Sequence, residues 1–161
     1  MDNPIYYFLD TPFGKQISFD SGKDKIQLIT STYFDEETGE YLVDYRSNQA
    51  HFRSVVEEKL YEYYDLTKDL DSNYEKEKAI YSKLAFDVEY SKSDVLSPAV
   101  HSIMGALEDE EAVCEGFGYT FELICNYCGI DCIYIEGESN GVPHGWNAVK
   151  YDDQWFLCDL T

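Results

Sequence analysis

The segment from Cys114 to Thr161 constrains this chain most. Phe117, Thr120, Phe121, Ile124 and Cys128 recur there at intervals of three and four, which makes one buried face of a helix of about 15 residues. Gly129 follows, and a glycine just past a helix end commonly stops it. "DCIYIEG" then reads as a short strand, with "HGWNAVKY" and "QWFLCDL" as two more joined by the two-residue turn Asp152-Asp153. One helix feeding an antiparallel sheet, with further helices before it, is an α+β arrangement.

The earlier chain supplies those helices. Residues 25–34, "KIQLITSTYF", are β-branched and aromatic enough for a strand, and "EETGEY" turns it back into a second one through "YLVDY". From Gln49 to Leu70 the pattern becomes helical, with Phe52, Val55, Val56, Leu60 and Tyr63 on one face. A second helix starts in "SNYEKEKAIYSKLAF", where Ser72 and Glu75 have capping-box spacing and Ile80, Leu84 and Val88 form the stripe. "EYSKSDVLSP" reads as a connecting loop. The 161 residues suit a single domain: a β-rich segment over 1–46, a helical one over 47–109 and the helix-plus-sheet unit over 110–161.

Charge narrows the partners. Acidic residues number 32 against 12 basic ones, a formal net of −20, and such a surface repels phosphate backbones, so no nucleic-acid partner is expected. No apolar run reaches the roughly 18 residues of a membrane helix, so no membrane insertion is expected either. The N-terminal "MDNPIYYFLDTPFG" lacks the basic and apolar regions of a signal peptide. The compartment stays open, with a secreted or cell-surface bacterial location, its leader outside this sequence, as one reading.

Metal chemistry finds little support. Asp69, Asp71 and Asn73 mimic the first ligands of a calcium-binding EF-hand loop, but Tyr74 and Ile80 stand where its Gly and Glu belong. A solvated helix cap explains them better. The five cysteines, at 114, 125, 128, 132 and 158, include a C-x2-C-x3-C run without a second ligand pair at zinc spacing. Buried thiols are the expectation, because free cysteine packs as a small hydrophobe.

Cys114 is placed differently from the other four. It opens the apolar helix, where unpaired backbone N–H groups and the positive end of the macrodipole favour an anion. Gly116 and Gly118 would let backbone or substrate approach closely. A nucleophile there needs a base and a group to orient it. His51 lies on the long helix and His101 upstream, whereas His144 opens a strand that can cross the helix N-terminus. Asp159, near the end of the next strand, can reach the second ring nitrogen of His144. Spacing alone leaves a buried structural cysteine standing beside this triad.

The motifs Cys114-Glu115-Gly116, Cys128-Gly129-Ile130-Asp131-Cys132, His144-Gly145-Trp146-Asn147 and Asp159-Leu160-Thr161 resemble, in order and spacing, the core of the transglutaminase-like superfamily, relatives of papain-like cysteine peptidases. The resemblance covers 110–161 well and the helix ending in "AFDVEY" more loosely. It implies Cys114 as nucleophile, His144 as base and Asp159 as the orienting acid, on a papain/transglutaminase-like fold. The implied chemistry is acyl transfer on an amide of a protein or peptide substrate through a thioester, with no cofactor and no metal. The backbone N–H of Cys114 and the Tyr90 hydroxyl are candidate oxyanion donors. Peptidase or amidase hydrolysis is favoured over glutamine cross-linking. An inactive binding module, its 15 tyrosines supplying interface area, is the competing class.

Three side chains near these motifs carry two readings each. Glu115 is a groove residue or a first-turn acid favoured by the dipole. Trp146 and Trp155 line a substrate groove or pack in the core, the latter being preferred. Two departures from the family pattern are visible. Relatives continue past D-x-T with more strands, so the sheet is expected to be truncated, unusually small or completed by another chain, the oligomeric state being open. Gly145 stands where alanine is common, from which only a looser backbone is expected.

Overall fold

The computed structural model describes residues 45–92 and 99–161, with side chains from 51 onward except 52 and 53, and before them four short strands. Strand β1 (Gln16–Ser18) pairs antiparallel with β2 (Gln27–Ile29), and β3 (Tyr33–Asp35) with β4 (Glu40–Leu42). The hairpin expected across "EETGEY" is the β3–β4 pair. The single strand expected over 25–34 is instead two pieces, β2 and β3, that belong to different pairs.

Helix α1 (Tyr45–Thr67) starts inside the segment expected as a strand. Val56, Leu60 and Tyr63 are buried along it as the periodicity requires, with Val55 packed at the margin. Phe52 lies outside the described side chains. The helix stops at Thr67, whose buried hydroxyl donates back to the Tyr63 carbonyl at 2.8 Å. Helix α2 (Asn73–Asp87) begins with the expected capping box. Ser72 Oγ accepts from the Glu75 amide at 3.2 Å and donates to the Glu75 carboxylate at 3.0 Å. Ile80, Leu84 and Val88 are all buried.

Of the expected loop "EYSKSDVLSP", Glu89 and Tyr90 form a short strand, and residues 93–98 lie outside the described residues. Strand β5 (Glu89–Tyr90) pairs parallel with β6 (Glu111–Ala112), flanking a 3₁₀ turn (Ala99–His101) and helix α3 (Ile103–Leu107). Ser102 caps α3 by accepting from the Gly105 amide. Pieces this short have no period for sequence to reveal; they form because neighbours hold them. The Val113 amide bonds the Val100 carbonyl at 2.9 Å, fixing the chain just before helix α4 (Cys114–Tyr127).

Helix α4 matches the expected span and ends before Gly129, whose φ of +82° suits glycine. Strands β7 (Asp131–Ser139), β8 (Val142–Tyr151) and β9 (Gln154–Cys158) form an antiparallel sheet in that order. Both hairpins turn on two residues with positive φ: Asn140-Gly141 and Asp152-Asp153. This is the turn whose twist matches the strands it joins. Phe117, Phe121, Ile124 and Cys125 of α4 pack with Cys132, Val149 and Cys158 of the sheet, and with α1 and α2 behind, as one core. The arrangement is α+β, helices against an antiparallel sheet.

The other sheet face is open among the described residues. Ile133, Leu157 and Trp155 are exposed on it, Trp155 at 49%. The core reading of Trp155 is therefore wrong, because its alternation on edge strand β9 points it away from α4. No helix among the described residues is long and apolar enough to cross a membrane.

Phe121 is fully buried in the α4 face, whereas Phe86 is 89% exposed. Phe121→Ala is expected to lower the unfolding free energy by about 3–5 kcal/mol in urea titration. Phe86→Ala should change it by no more than about 0.5 kcal/mol.

Candidate active site

Helix α4 places Cys114 at its first position, half-buried, while the other four cysteines are buried and free. Burial pushes the Cys125 and Cys128 thiols up and that of Cys158 up to about 12, where the Glu77 carboxylate adds to it. The cysteines thus fall into one accessible thiol and four packed ones. Among the described residues no three His, Cys, Asp or Glu side chains are grouped to hold a metal.

His144 and Asp159 meet through sheet register. Asn147 of β8 faces Cys158 of β9, so one further residue sets Asp159 opposite Trp146, a diagonal step from His144. His144 Nε2 lies 2.9 Å from Asp159 Oδ2. The other carboxylate oxygen, Oδ1, accepts from the Thr161 amide at 3.1 Å and its hydroxyl at 3.2 Å. That is the local turn an aspartate makes with the residue two further on. The Asp159 carbonyl also accepts from the Tyr81 hydroxyl at 3.2 Å, which ties the strand end to α2. Burial alone would raise the Asp159 carboxyl, but the His144 and Thr161 hydrogen bonds outweigh it and hold the group below its ordinary value.

Tyr134 of β7 relates helix to strand. A Cβ on Gly118 of α4 would stand 2.5 Å from its ring, and one on Gly145 would stand 2.1 Å from its hydroxyl oxygen. Burial first, and then neighbouring charges that include Cys114, push its phenol up. Gly118, one turn after Cys114, and Gly145, the neighbour of His144, therefore adjoin the same ring. The expectation that Gly145 merely loosens the backbone is corrected, since its missing side chain is occupied by Tyr134. The close approach open at Gly116 and Gly118 is likewise made by the protein itself: the Val100 carbonyl lies against one and Tyr134 against the other.

The remaining candidates sit around this centre. Tyr90 is on β5, three residues beyond α2, stacked on Phe117 at 6.4 Å. Burial and the Cys114 charge raise its phenol, and a hydrogen bond from the Cys114 backbone partly offsets them. Glu115 is turned to His101, Oε2 to Nδ1 at 2.7 Å. Trp146 is half-buried, its ring 5.8 Å from the His144 ring. Asn147, fully buried, donates to the Gly118 carbonyl at 3.0 Å and to that of Ile133 at 3.4 Å. Sequence reasoning quoted Thr161 and Asn147 within motifs without assigning their contacts, and overlooked Tyr134 and the pairing of Glu115 with His101. Only Thr161 carried a readable signal, the Asp-x-Thr spacing of a side-chain turn.

A family model described as "Transglutaminase-like superfamily" matches residues 63–160, from the last turns of α1 to the residue after Asp159. The chain belongs to the transglutaminase-like superfamily. Among curated relatives it is similar to the kyphoscoliosis peptidases of Mus musculus and Homo sapiens, 25% and 24% identical over 111 residues. Each match covers 60% of this chain but only 17% of the relative's length. A solved TGase superposes with a TM-score of 0.62 at 23% identity, covering 74% of this chain and 35% of that one. A candidate cysteine protease from Cytophaga hutchinsonii gives 0.56 at 18% identity, over 65% and 37% of the two chains. At such identities the structures establish the transglutaminase-like fold alone.

The lowered Asp159 carboxyl has a pH consequence. Its contacts stabilise the transglutaminase-like core above its ordinary value of 3.8 and are lost as pH falls through the lowered one. The Tm gap between wild type and Asp159→Asn is expected to be constant above about pH 5 and to shrink towards pH 2. A gap unchanged across that range would contradict this.

Proposed function

We propose that this protein breaks amide bonds of a peptide or protein through a cysteine thioester, with Cys114 as nucleophile, His144 as base and Asp159 as the group that orients it. The observation that carries the reading is the 2.9 Å contact of His144 Nε2 with Asp159. It leaves Nδ1 as the ring nitrogen free to exchange a proton with the thiol. Superfamily membership supports the class of chemistry, and the accessibility of Cys114 among packed cysteines supports the choice of sulfur.

In this mechanism His144 Nδ1 takes the Cys114 proton as the sulfur attacks the carbonyl carbon. The oxyanion is met by the Cys114 backbone N–H and the Tyr90 hydroxyl. Collapse breaks the C–N bond, Nδ1 returns the proton to the departing amine, and the acyl group stays on sulfur as a thioester. Water then attacks the thioester carbon and gives a proton to Nδ1; the C–S bond breaks, the carboxylic acid leaves, and Nδ1 returns the proton to the Cys114 sulfur. Trp146, beside His144, is a wall of the substrate groove. An amine in place of water would give a new amide, so hydrolysis and transamidation share every step up to the thioester.

Iodoacetamide at about pH 6 is expected to alkylate Cys114 at least roughly 10-fold faster than any other cysteine, as read by peptide mass mapping. His144→Ala should slow that alkylation, and should lower peptide release by about 100-fold or more. Equal slow labelling of all five thiols would sink the enzymatic reading. Incorporation of a fluorescent primary amine into a glutamine peptide, outpacing peptide release, would move the assignment from hydrolase to cross-linker.

A further inference from the structure

The ring of Tyr134 fills the space of two absent side chains. One belongs to Gly118, where a Cβ would lie 2.5 Å from both Cδ2 and Cε2. The other belongs to Gly145, where it would lie 2.1 Å from Oη, 2.6 Å from Cε2 and 2.7 Å from Cζ. Gly118 is one helical turn after Cys114, and Gly145 follows His144 directly. On a third side the Tyr119 ring packs against Tyr134, centroids 4.4 Å apart. Beside them Asn147 bonds the Gly118 carbonyl and draws α4 towards the sheet. Helix and strand are thus pulled together by an amide and held apart by a phenol.

We infer that Tyr134 is a positioning residue, a rigid spacer whose ring sets the distance between the nucleophile's helix and the base's strand. The inference rests on the proposed roles of Cys114 and His144. An aromatic ring has few torsions, and where it is packed tightly, as Tyr134 is between Gly118 and Gly145, it passes its dimensions on to both neighbours. Catalysis through two side chains on different elements is sensitive to such a dimension, since a misplacement of about 1 Å can cost about 100-fold in rate. A methyl at Gly145 would have to displace the ring, and Gly118 and Tyr119 restrict that movement on two sides.

The test uses the full chain and follows Cys114 alkylation by iodoacetamide at pH 6 and pH 9, with peptide release in parallel. Tyr134→Ala is expected to slow alkylation at pH 6 by roughly 10- to 100-fold while the rate at pH 9 stays near wild type. Loss of fold would instead raise labelling of the four buried cysteines. Tyr134→Phe, which keeps the ring, should restore the pH 6 rate. Gly145→Ala should slow it too, and Gly145→Ala with Tyr134→Ala should be no worse than Tyr134→Ala alone, as residues sharing one space are non-additive. If Tyr134→Ala does not fold, Tyr134→Leu, which fills volume without a flat ring, takes its place. A wild-type pH 6 rate in that variant, or additive effects of the two substitutions, overturns the inference. His144→Ala separates the two readings. If it leaves alkylation unchanged, the nucleophile-and-base assignment falls; if it slows alkylation and Tyr134→Ala does not, only the spacer falls.

Discussion

The buried amide of Asn147 is the contact on which the rest of the arrangement depends. One donor group on β8 reaches the Gly118 carbonyl of α4 and the Ile133 carbonyl of β7. It thereby joins the helix to the middle of its sheet by a polar bond inside an apolar interface. Hydrophobic packing of Phe121 and Ile124 against Val149 supplies most of the stabilisation but little direction, because burial of area is insensitive to sliding. A hydrogen bond with no water to replace it is not, and losing one partner of such a pair costs about 1–3 kcal/mol. The clamp fixes how far along the strand the helix start lies, and therefore where Cys114 lies relative to His144.

Burial also sorts the thiols. Cys125, Cys128, Cys132 and Cys158 fill the same core, with Cys158 directly before Asp159 in the chain. Burial raises the thiols of Cys125, Cys128 and Cys158, and a thiol so raised is a poor nucleophile at neutral pH. The nucleophile proposed at Cys114 needs the opposite environment, and that residue, half-buried, opens a helix at the edge of the core. Density in the interior and exposure at its rim are thus two sides of one fold.

Much of this was readable before any coordinates. The spacing of Phe117, Phe121 and Ile124 indicates α4, and the strand-like residues of the last segment indicate β8 and β9, with one end of each off by two residues. With those strands and their two-residue turn fixed, the encounter of His144 with Asp159 follows from counting along the ladder. What escaped were features without a period. Strands β5 and β6 are two residues each and are held by the Glu89 and Ser91 amides, which hydrogen-bond across them to the Glu110 and Ala112 carbonyls. The Asn140-Gly141 turn carried the strongest short hairpin signal in the chain and lengthens both β7 and β8 beyond their apolar cores. Trp155 was misread because periodicity says that a strand has two faces, not which one will be covered. Gly145 was misread because a glycine's reason lies in the side chain that replaces its own, here eleven residues away in sequence.

Asp159 shows how a group can be ordered without being buried. Its side chain is 46% exposed, so burial cannot hold it still, and a carboxylate withdrawn further from water would be driven towards its neutral form. Order comes instead from a division between its two oxygens. Thr161 holds Oδ1 with an amide and a hydroxyl, and Oδ2 is left for His144. The downward direction of its titration shows that these hydrogen bonds prevail over desolvation. A charged acid at the rim, oriented by a turn two residues long, keeps its charge on the imidazole. Glu115, the residue after Cys114, is ordered in a similar way, its carboxylate held by the His101 ring at 2.7 Å.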